Sequence, residues 1–425
     1  MRALFTDFYQ LTMTAGYWQA GKTAESATFE MFVRRLPPER DFLVVCGLEQ
    51  ALEYLEQLAF DEDELAYLKE LPQFQSLGTA FWDFLRSFRF RGDVYSAPEG
   101  TVLFANEPLL TVRAPLAEAQ VPETYLLATI GFQTLIATKA ARILSAAEGR
   151  SVVEFGCRRA HAPEAGCLAG RAAYIAGCAG TSNVEAGFRY SIPVFGTAAH
   201  SWVLSFPAER DAFAALQAVL RERTVQLIDT YDTLNGAQLA AELGAPLWGV
   251  RLDSGDLLEL SQSARRILDE HGLASARIMA TNDLDEHSIA RLLKSGAPID
   301  VFGVGTSLAT SYDAPALPCV YKLVEHTGAE GQRFPYKKSE GKMTLPGRKQ
   351  IYRTADADWV ALASEPAADG LPLIKQVMRE GVRTGPSFSI EAAREYTQDQ
   401  IARFGKAGRP VHYSPALLKL VEEEQ

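Results

Sequence analysis

One short stretch of the chain concentrates residue types that could do chemistry. After five largely apolar residues, an arginine, two aspartates and a serine fall within six positions, as Arg251, Asp253, Ser254 and Asp256. α/β enzymes place such side chains at the carboxyl ends of buried parallel strands, because the strand fixes their positions and the loop exposes them. The acids could instead only cap the helix that follows, but a cap needs one of them and has no use for Arg251. The stretch therefore favours a functional site.

Two other polar loops come earlier in the chain. Phe155 is followed by the adjacent pair Arg158 and Arg159. Two guanidinium groups at a strand end can hold a carboxylate or a phosphate bidentately, and Phe155 offers an aromatic face. The alternative is a surface ion pair between these arginines and Glu154. The second loop, residues 180–183, is small and polar and by itself fits any turn.

Four further loops complete the set. His200 lies among small residues after a predicted strand, where it is available as a base, an acid or a phosphate-accepting nucleophile, or is an ordinary surface histidine. Residues 229–233 and 281–283 end two more strands with acids and an amide. The last strand ends in Gly303-Val-Gly305-Thr306, whose backbone N–H groups are free to cradle a phosphate. Together the loops predict an enzyme acting on a phosphorylated sugar or nucleotide, with Mg²⁺ on the aspartates.

The elements that position these loops alternate between short apolar strands and helices. Predicted strands are residues 151–155, 194–195, 225–228, 247–252, 277–280 and 301–302. This alternation predicts a parallel sheet, and the number of units favours an irregular, TIM-like α/β barrel. Before it, the sequence predicts helices at 48–58 and 124–144 and strands at 88–94 and 102–104. We expect an N-terminal α+β domain at 1–140, completed by the segment 325–425, and a barrel domain at 141–324.

The bulk composition excludes several classes of protein. The chain has 425 residues, 47% of them hydrophobic, and a formal net charge of −11, which argues against nucleic acid as a general partner. No apolar run approaches the roughly 20 residues of a membrane-spanning helix, and the first residues do not resemble a secretory signal. Five cysteines, an odd number in a large chain, suit a reducing cytoplasm. Cys157, Cys167 and Cys178 lack the close pair typical of zinc sites.

The order of these motifs resembles the nicotinate phosphoribosyltransferase family. Ten segments match in sequence, at residues 6–13, 154–159, 180–183, 196–202, 229–233, 250–256, 281–286, 302–306, 313–317 and 321–323. The resemblance implies transfer of phosphoribosyl from phosphoribosyl pyrophosphate to the ring nitrogen of nicotinate, giving nicotinate mononucleotide and pyrophosphate for NAD synthesis. It also implies ATP as a co-substrate, Mg²⁺, no organic prosthetic group, and a homodimer with shared active sites. The implied fold is an irregular barrel beside a sandwich-like domain built from both chain ends.

The resemblance also implies roles for individual residues. His200 would be transiently phosphorylated, and Asp253 would stabilise the cationic transition state and, with Asp256, hold Mg²⁺. Nicotinate would contact a set of aromatic, cationic and small residues: Tyr9 (from the partner subunit), Phe155, Arg158, Arg159, Ser182 and Arg251. The phosphoribosyl and phosphate groups would contact Thr181, Ser201, Ser254, Asn282, Asp283, Gly303, Gly305, Thr306 and, from the neighbouring subunit, Lys322.

Three alternatives stay open from the sequence. Nicotinamide phosphoribosyltransferases share the barrel and the histidine but carry a carboxylate where this chain has Ser182. A carboxylate there would oppose the substrate acid by about 4 kcal/mol for charges 4 Å apart at an effective dielectric near 20. A barrel glycoside hydrolase could use Asp253 and Asp256 as its carboxylate pair, although neutral sugars need neither the arginines nor a phosphate cradle. A non-catalytic sensor of a phosphorylated metabolite is the third, and the presence of His200 disfavours it.

Overall fold

The computed structural model describes residues 3–336, 344–366, 369–386 and 389–424. The chain forms two compact units, of which residues 136–315 are one and the two flanking segments together are the other. We call them the parallel-sheet unit and the terminal unit. The boundaries expected from the sequence, at 140/141 and 324/325, differ from these by a few residues, and the second one matters for Lys322.

The parallel-sheet unit is built on one six-stranded sheet. Its strands are β6 Ser151–Glu154, β7 Gly180–Thr181, β8 Val225–Leu227, β9 Gly249–Leu252, β10 Arg277–Ala280 and β11 Val301–Val304. They are all parallel and lie in the order β7-β6-β11-β10-β9-β8. The parallel α/β layout is therefore confirmed. Because β7 and β8 are edge strands, the described residues show an open sheet and not the closure of a barrel.

Helices alternate with the strands, and the side chains of Asn183, Asp232, Asp256 and Asp285 cap four of them. They are the C-terminal half of α6 Glu123–Ala146, then α7 Pro163–Ala176, α8 Val184–Tyr190, α9 His200–Leu204, α10 Glu209–Leu220, α11 Thr233–Leu243, α12 Leu257–Glu270, α13 Glu286–Lys294 and α14 Thr306–Ala309. Asp256 caps α12, where its carboxylate accepts the N–H groups of Leu258 and Glu259. The apolar stripe of α12 is buried as its spacing predicts, with Leu257 and Leu268 among the buried residues. A short 3-10 turn, Cys157–Arg159, follows β6.

The terminal unit combines helices with two larger sheets. Its helices are the N-terminal part of α6 with α1 Phe8–Gln19, α2 Leu48–Gln57, α3 Glu62–Glu70, α4 Thr79–Arg86, α5 Leu116–Gln120, α15 Ile390–Phe404 and α16 Pro415–Glu423. Its strands are β1 Ser26–Val33, β2 Leu43–Val44, β3 Asp93–Ser96, β4 Val102–Leu103, β5 Pro108–Pro115, β12 Cys319–Gly328, β13 Gly331–Arg333, β14 Lys349–Arg353, β15 Asp358–Leu362, β16 Leu371–Pro372, β17 Lys375–Arg379, β18 Val382–Arg383 and β19 Val411–Tyr413. Seven of these strands form one sheet, four another, and β2 and β4 pair separately.

The strand predicted at residues 88–94 is wrong over most of its length. Phe88 and Phe90 are buried in the main core cluster of the terminal unit, but the strand itself begins only at Asp93. The ring of Phe88 packs edge-on against Phe60 and Phe84. Alternating apolar residues therefore reflect burial of side chains here and not pairing of the backbone with a neighbouring strand.

No helix in the described ranges combines the length and the apolar character that crossing a membrane would require. This agrees with the absence of a long apolar run in the sequence.

Candidate active site

A pocket in the parallel-sheet unit lies where four neighbouring strands end. The strands β6, β11, β10 and β9 are adjacent in the sheet, so the loops that leave their carboxyl ends converge. Eleven residues line the pocket: Phe155, Arg158, Arg159, Arg251, Asp253, Thr281, Asn282, Asp283, Gly303, Gly305 and Thr306. Residues from four distant stretches of sequence thus meet at one place, and ten of the eleven were predicted as site residues. Thr281 is the one that was not.

The aromatic and cationic side of the pocket is formed by Phe155, Arg158 and Arg159. Buried Val153, Met279 and Val301 pack against the ring of Phe155 and support it from below. Both arginines are exposed, and neither forms an ion pair with any residue in the part of the chain that the structure describes. Two unpaired guanidinium groups beside an aromatic ring can bind a planar molecule that carries a carboxylate.

The predicted alternative for these arginines, a surface ion pair with Glu154, is not formed. Glu154 is fully buried, and its carboxylate accepts hydrogen bonds from the Thr181 hydroxyl and the Gly156 N–H. The arginines therefore remain available to a ligand.

Asp253 and Arg251 form the polar centre of the pocket. Arg251 Nη2 donates to Asp253 Oδ1 at 2.8 Å and Nε donates to the Thr281 hydroxyl at 3.0 Å, while Thr281 donates to Asp253. Burial by itself would raise the pKa of Asp253, but the hydrogen bonds from Thr281 and Arg251 and the charge of Arg251 hold it below its usual value. Asp253 is therefore an anion at neutral pH. Arg251 also donates to Thr197 Oγ1 at 2.8 Å, so it ties the loop before His200 to the sheet.

His200 lies at the rim of this polar centre. It is the first residue of α9, and its Nδ1 lies 3.2 Å from Thr230 Oγ1. Its Nε2 lies 3.7 Å from Asp253 Oδ2, which is beyond hydrogen-bond distance, and 41% of its side chain is exposed. The Thr230 hydroxyl therefore orients the imidazole through Nδ1, and Nε2 lies on the side of Asp253, which lines the pocket.

Asp229 lies in the polar loop 229–233 that the sequence indicates, but the sequence alone assigns it no role. Its Oδ2 accepts the N–H of Asp253 at 2.8 Å and the hydroxyl of Ser254 at 2.6 Å. Its Oδ1 is buried without a hydrogen-bond partner in the described part of the chain. The available signal was its place after β8, because β8 neighbours β9 and their loops must meet.

The segment Gly303-Val-Gly305-Thr306 forms another side of the pocket. A Cβ built on Gly303 would lie 2.6 Å from Thr281 Cγ2 and 2.9 Å from Phe155 Cδ2, so any larger residue there must displace both side chains. Across from it, Asn282 and Asp283 both have left-handed backbone angles, with φ of 92° and 46°. Two consecutive non-glycine residues in this conformation store strain of a kind that clusters at active sites.

The other predicted residues lie outside the pocket lining. The Thr181 hydroxyl is buried and bonded to Glu154, and Ser182 is half-buried at the end of β7. Ser201 is exposed on α9, and Ser254 is exposed and bound to Asp229. Asp256 is exposed and occupied as the cap of α12, so the helix-cap interpretation describes this one acid.

Two predicted residues belong to the terminal unit. Tyr9 is on α1, is 47% exposed, and has its pKa raised to about 12 by burial of part of its side chain and by the charges of Glu123 and Asp7. Lys322 is on β12, half-buried, and pairs in register with Glu30 of β1. The predicted boundary had placed Lys322 in the barrel domain, whereas β12 pairs with the sheet of the terminal unit.

The described residues contain no group of three or more histidine, cysteine or acidic side chains that could hold a metal ion by themselves. All five cysteines are free, and a cysteine-based metal site is not formed.

Comparison with known proteins gives one consistent result. The model of the nicotinate phosphoribosyltransferase (NAPRTase) N-terminal domain matches residues 4–131, and the NAPRTase family model matches residues 150–329. A nicotinate phosphoribosyltransferase of Mycobacterium tuberculosis is 45% identical over 411 residues, covering 94% of this chain and 87% of that protein. The nicotinate phosphoribosyltransferase of Bacillus subtilis is 45% identical over 383 residues, covering 86% and 77%. The crystal structure of human nicotinic acid phosphoribosyltransferase superposes with a TM-score of 0.85 at 28% identity, covering 98% of this chain and 99% of that one.

Proposed function

The chain belongs to the nicotinate phosphoribosyltransferase family, and from this premise we propose how its pocket carries out the reaction. The enzyme transfers the phosphoribosyl group of phosphoribosyl pyrophosphate to nicotinate in NAD biosynthesis. The ring nitrogen of nicotinate forms a bond to the anomeric carbon of the ribose, the bond from that carbon to the pyrophosphate oxygen breaks, and pyrophosphate leaves. One observation supports the site assignment most strongly: unpaired arginines and an aromatic ring share a pocket with a glycine-rich strand end.

Nicotinate binds at the side of Phe155 in this proposal. Its carboxylate pairs with Arg159 and Arg158, and its ring stacks on Phe155. Arg251 already donates to Asp253, Thr281 and Thr197, so its role is to hold these residues while its charge faces the same pocket. Ser182 leaves the carboxylate end of nicotinate free of an opposing acid.

The phosphoribosyl group binds at the opposite side. Asn282 and Asp283 contact the ribose hydroxyls, and the backbone of Gly303 and Gly305 with the Thr306 hydroxyl contacts the 5′-phosphate. Asp253, which is ionised, stabilises the positive charge that develops on the ribose as pyrophosphate departs.

The acids of the site fit a magnesium ion, with a change from the sequence-based assignment. Mg²⁺ prefers hard oxygen ligands, and several of these ligands are usually water molecules and phosphate oxygens of the substrate. Asp253 and Asp229, whose buried Oδ1 lacks a partner in the described residues, would supply the protein ligands. Asp256 is occupied as a helix cap. When bound, the ion would neutralise charge on the leaving pyrophosphate.

ATP coupling through His200 is a further part of the proposal. The half-exposed imidazole, oriented by Thr230, attacks the γ-phosphorus of ATP, so that a nitrogen–phosphorus bond forms and the bond to the ADP oxygen breaks. The added negative charge beside Asp253 changes the affinity of the site for substrates and products.

The His200→Ala variant tests this coupling. We expect it to lose ATP hydrolysis while slow transfer without ATP persists, because the arginines, Asp253 and the glycine-rich strand end are intact. Labelling with γ-³²P ATP should give an acid-labile, base-stable adduct in the parent enzyme and none in the variant. An acid-stable adduct, or full ATPase activity in the variant, would show that His200 does not carry the phosphate.

We also propose a cytoplasmic homodimer with shared active sites. Five free cysteines suit a reducing compartment. Phe5, Phe8 and Tyr9 are 60%, 41% and 47% exposed around α1, and exposed aromatic residues are enriched at protein interfaces. In this arrangement Tyr9 and Lys322 reach the neighbouring subunit's nicotinate and phosphate.

We also propose that the parallel sheet closes into an irregular barrel, which is supported by the single bridge that Val194 forms with Thr181.

The geometry disfavours the glycoside hydrolase alternative. Asp253 lines the pocket, but Asp256 caps α12 and does not line it, so the two do not form a catalytic carboxylate pair facing one substrate.

A further inference from the structure

Glu154 is a buried carboxylate that the proposed reaction does not use. It is the last residue of β6, is 0% exposed, and makes no ion pair in the ranges that the structure describes. Burial raises the pKa of Glu154, although hydrogen bonds from Thr181 and Gly156 act in the opposite direction. A buried acid without a counter-charge costs folding free energy, so a purely structural position would favour an apolar residue.

The two oxygens of Glu154 bind two different loops. Oε1 accepts the N–H of Gly156, which precedes the turn that carries Arg158 and Arg159. Oε2 accepts the hydroxyl of Thr181 at 2.6 Å. One carboxylate therefore spans the loop with the arginine pair and the loop with Ser182.

Further hydrogen bonds close these contacts into a ring. The Thr181 hydroxyl oxygen accepts the N–H of Asn183 at 3.0 Å, and the Asn183 side-chain amide donates to Cys157 Sγ at 3.1 Å. Cys157 follows Gly156 in the chain, so the path returns to Glu154. We call these five residues, Glu154, Gly156, Cys157, Thr181 and Asn183, the Glu154 ring. The backbone oxygen of Glu154 also accepts the N–H of Ser182 at 2.8 Å.

We propose that Glu154 is the positioning residue of the nicotinate subsite, holding the Arg158–Arg159 turn and the Ser182 loop in one fixed arrangement. This inference rests on the proposed function, because it takes Arg159 to contact the carboxylate of nicotinate. Both oxygens of the Glu154 carboxylate act as acceptors, one for the Gly156 N–H and one for the Thr181 hydroxyl. A glutamine side chain offers one acceptor and one donor, so one of the two hydrogen bonds that Glu154 accepts is either lost or formed with the donor and acceptor exchanged.

Three variants and a control separate positioning from folding. Glu154→Gln changes one acceptor into a donor, Thr181→Val removes the hydroxyl at nearly constant shape, and Thr181→Ser keeps the hydroxyl. The control is Glu185→Gln, which removes an exposed acid of α8 that pairs with Arg189 outside the Glu154 ring. Steady-state KM for each substrate and kcat are measured with the full-length enzyme, together with the thermal unfolding midpoint.

We expect Glu154→Gln and Thr181→Val each to raise the KM for nicotinate at least tenfold. The KM for phosphoribosyl pyrophosphate and kcat should stay within threefold, because its proposed binding groups lie at and after the carboxyl ends of β10 and β11, outside the Glu154 ring. Thr181→Ser should recover most of the nicotinate affinity lost in Thr181→Val, and the control should match the parent enzyme. A double variant that combines Glu154→Gln with Thr181→Val should have a KM for nicotinate within twofold of that of Glu154→Gln, since the ring is already open.

Equal changes in both KM values, or a lower unfolding midpoint with the nicotinate KM unchanged, would overturn the positioning role. The Arg159→Ala variant separates this failure from failure of the proposed function. If Arg159→Ala raises the KM for nicotinate and Glu154→Gln does not, the positioning role alone is wrong. If Arg159→Ala leaves that KM unchanged, the proposed nicotinate contacts are wrong, and the role of Glu154 falls with them.

Discussion

Replacing Gly303 by alanine adds one methyl group at the most crowded point of the pocket. The new Cβ would lie 2.6 Å from Thr281 Cγ2, 2.9 Å from Phe155 Cδ2 and 3.1 Å from Met279 Cε. Carbon atoms in contact ordinarily lie about 3.5–4.0 Å apart, so Thr281 and Phe155 must each move by about 1 Å or less. All three neighbours are side chains, and for that reason we expect the variant to fold.

The size of the effect follows from this displacement. Overpacking costs about 1–3 kcal/mol, which should lower the unfolding midpoint by roughly 2–12 °C. Loss of stacking on Phe155 is worth about 0.5–1.5 kcal/mol, or roughly 2- to 13-fold in the KM for nicotinate. Because Thr281 also donates to Asp253, kcat should fall as well, and a misplacement near 1 Å can cost about 100-fold. We expect kcat/KM for nicotinate to fall by roughly 10- to 100-fold.

The assay compares Gly303→Ala with Gly196→Ala by steady-state kinetics and thermal unfolding. A Cβ on Gly196 meets no atom within 4 Å, so this control adds the same methyl group in open space. It should keep the parent kcat/KM within twofold. If Gly303→Ala also keeps the parent value, Phe155 and Thr281 do not contact the reacting groups and the site assignment is wrong.

Two further predictions concern single side chains of the pocket. Arg159→Ala should raise the KM for nicotinate about 30-fold or more, since an unpaired carboxylate costs about 2–5 kcal/mol. The control Arg266→Ala, which removes an exposed arginine outside the pocket, should leave this KM unchanged. A loss of affinity for phosphoribosyl pyrophosphate alone would mean that Arg159 contacts that ligand and not nicotinate. Asp283→Gly should raise the unfolding free energy by about 1 kcal/mol, because it relieves a left-handed backbone, yet lower kcat/KM. The matched control is Glu148→Gly, because Glu148 has a φ of 49° and lies away from the pocket; this variant should stabilise the protein without loss of activity. A lower melting temperature for Asp283→Gly would contradict the strain argument.

Most of the strands that hold the pocket could be predicted, because the local pattern of apolar and polar residues is enough to indicate a strand. Runs such as 151–155 and 277–280 are mostly apolar, bounded by polar loops and followed by amphipathic helices, and β10 has the predicted bounds. Strand β7 could not be found this way, since it is two residues long and contains a glycine. The segment at 194–195, which was predicted as a strand, forms only one bridge. Its apolar residues reflect packing against Gly180 and Gly187.

The chemistry of the pocket was predictable where residue type alone limits the role. The adjacent arginines and the Gly-x-Gly strand end were both predicted as ligand-binding groups, and both line the pocket. Roles decided by contacts across the sheet could not be deduced. Asp253 and Asp256 look equivalent in sequence, but one is held by Arg251 and the other caps a helix. Glu154 is indistinguishable from a surface acid until its burial beneath two loops is seen.

In the proposed reaction, the arginine pair makes this pocket specific for an acid. The most direct measurement is kcat/KM of the purified enzyme with phosphoribosyl pyrophosphate and either nicotinate or nicotinamide, each with and without ATP. We predict that nicotinate is the accepted base and that nicotinamide is at least about a hundredfold poorer, which corresponds to about 2.7 kcal/mol and is within reach of one charged contact. Comparable kcat/KM values for the two bases would contradict the account.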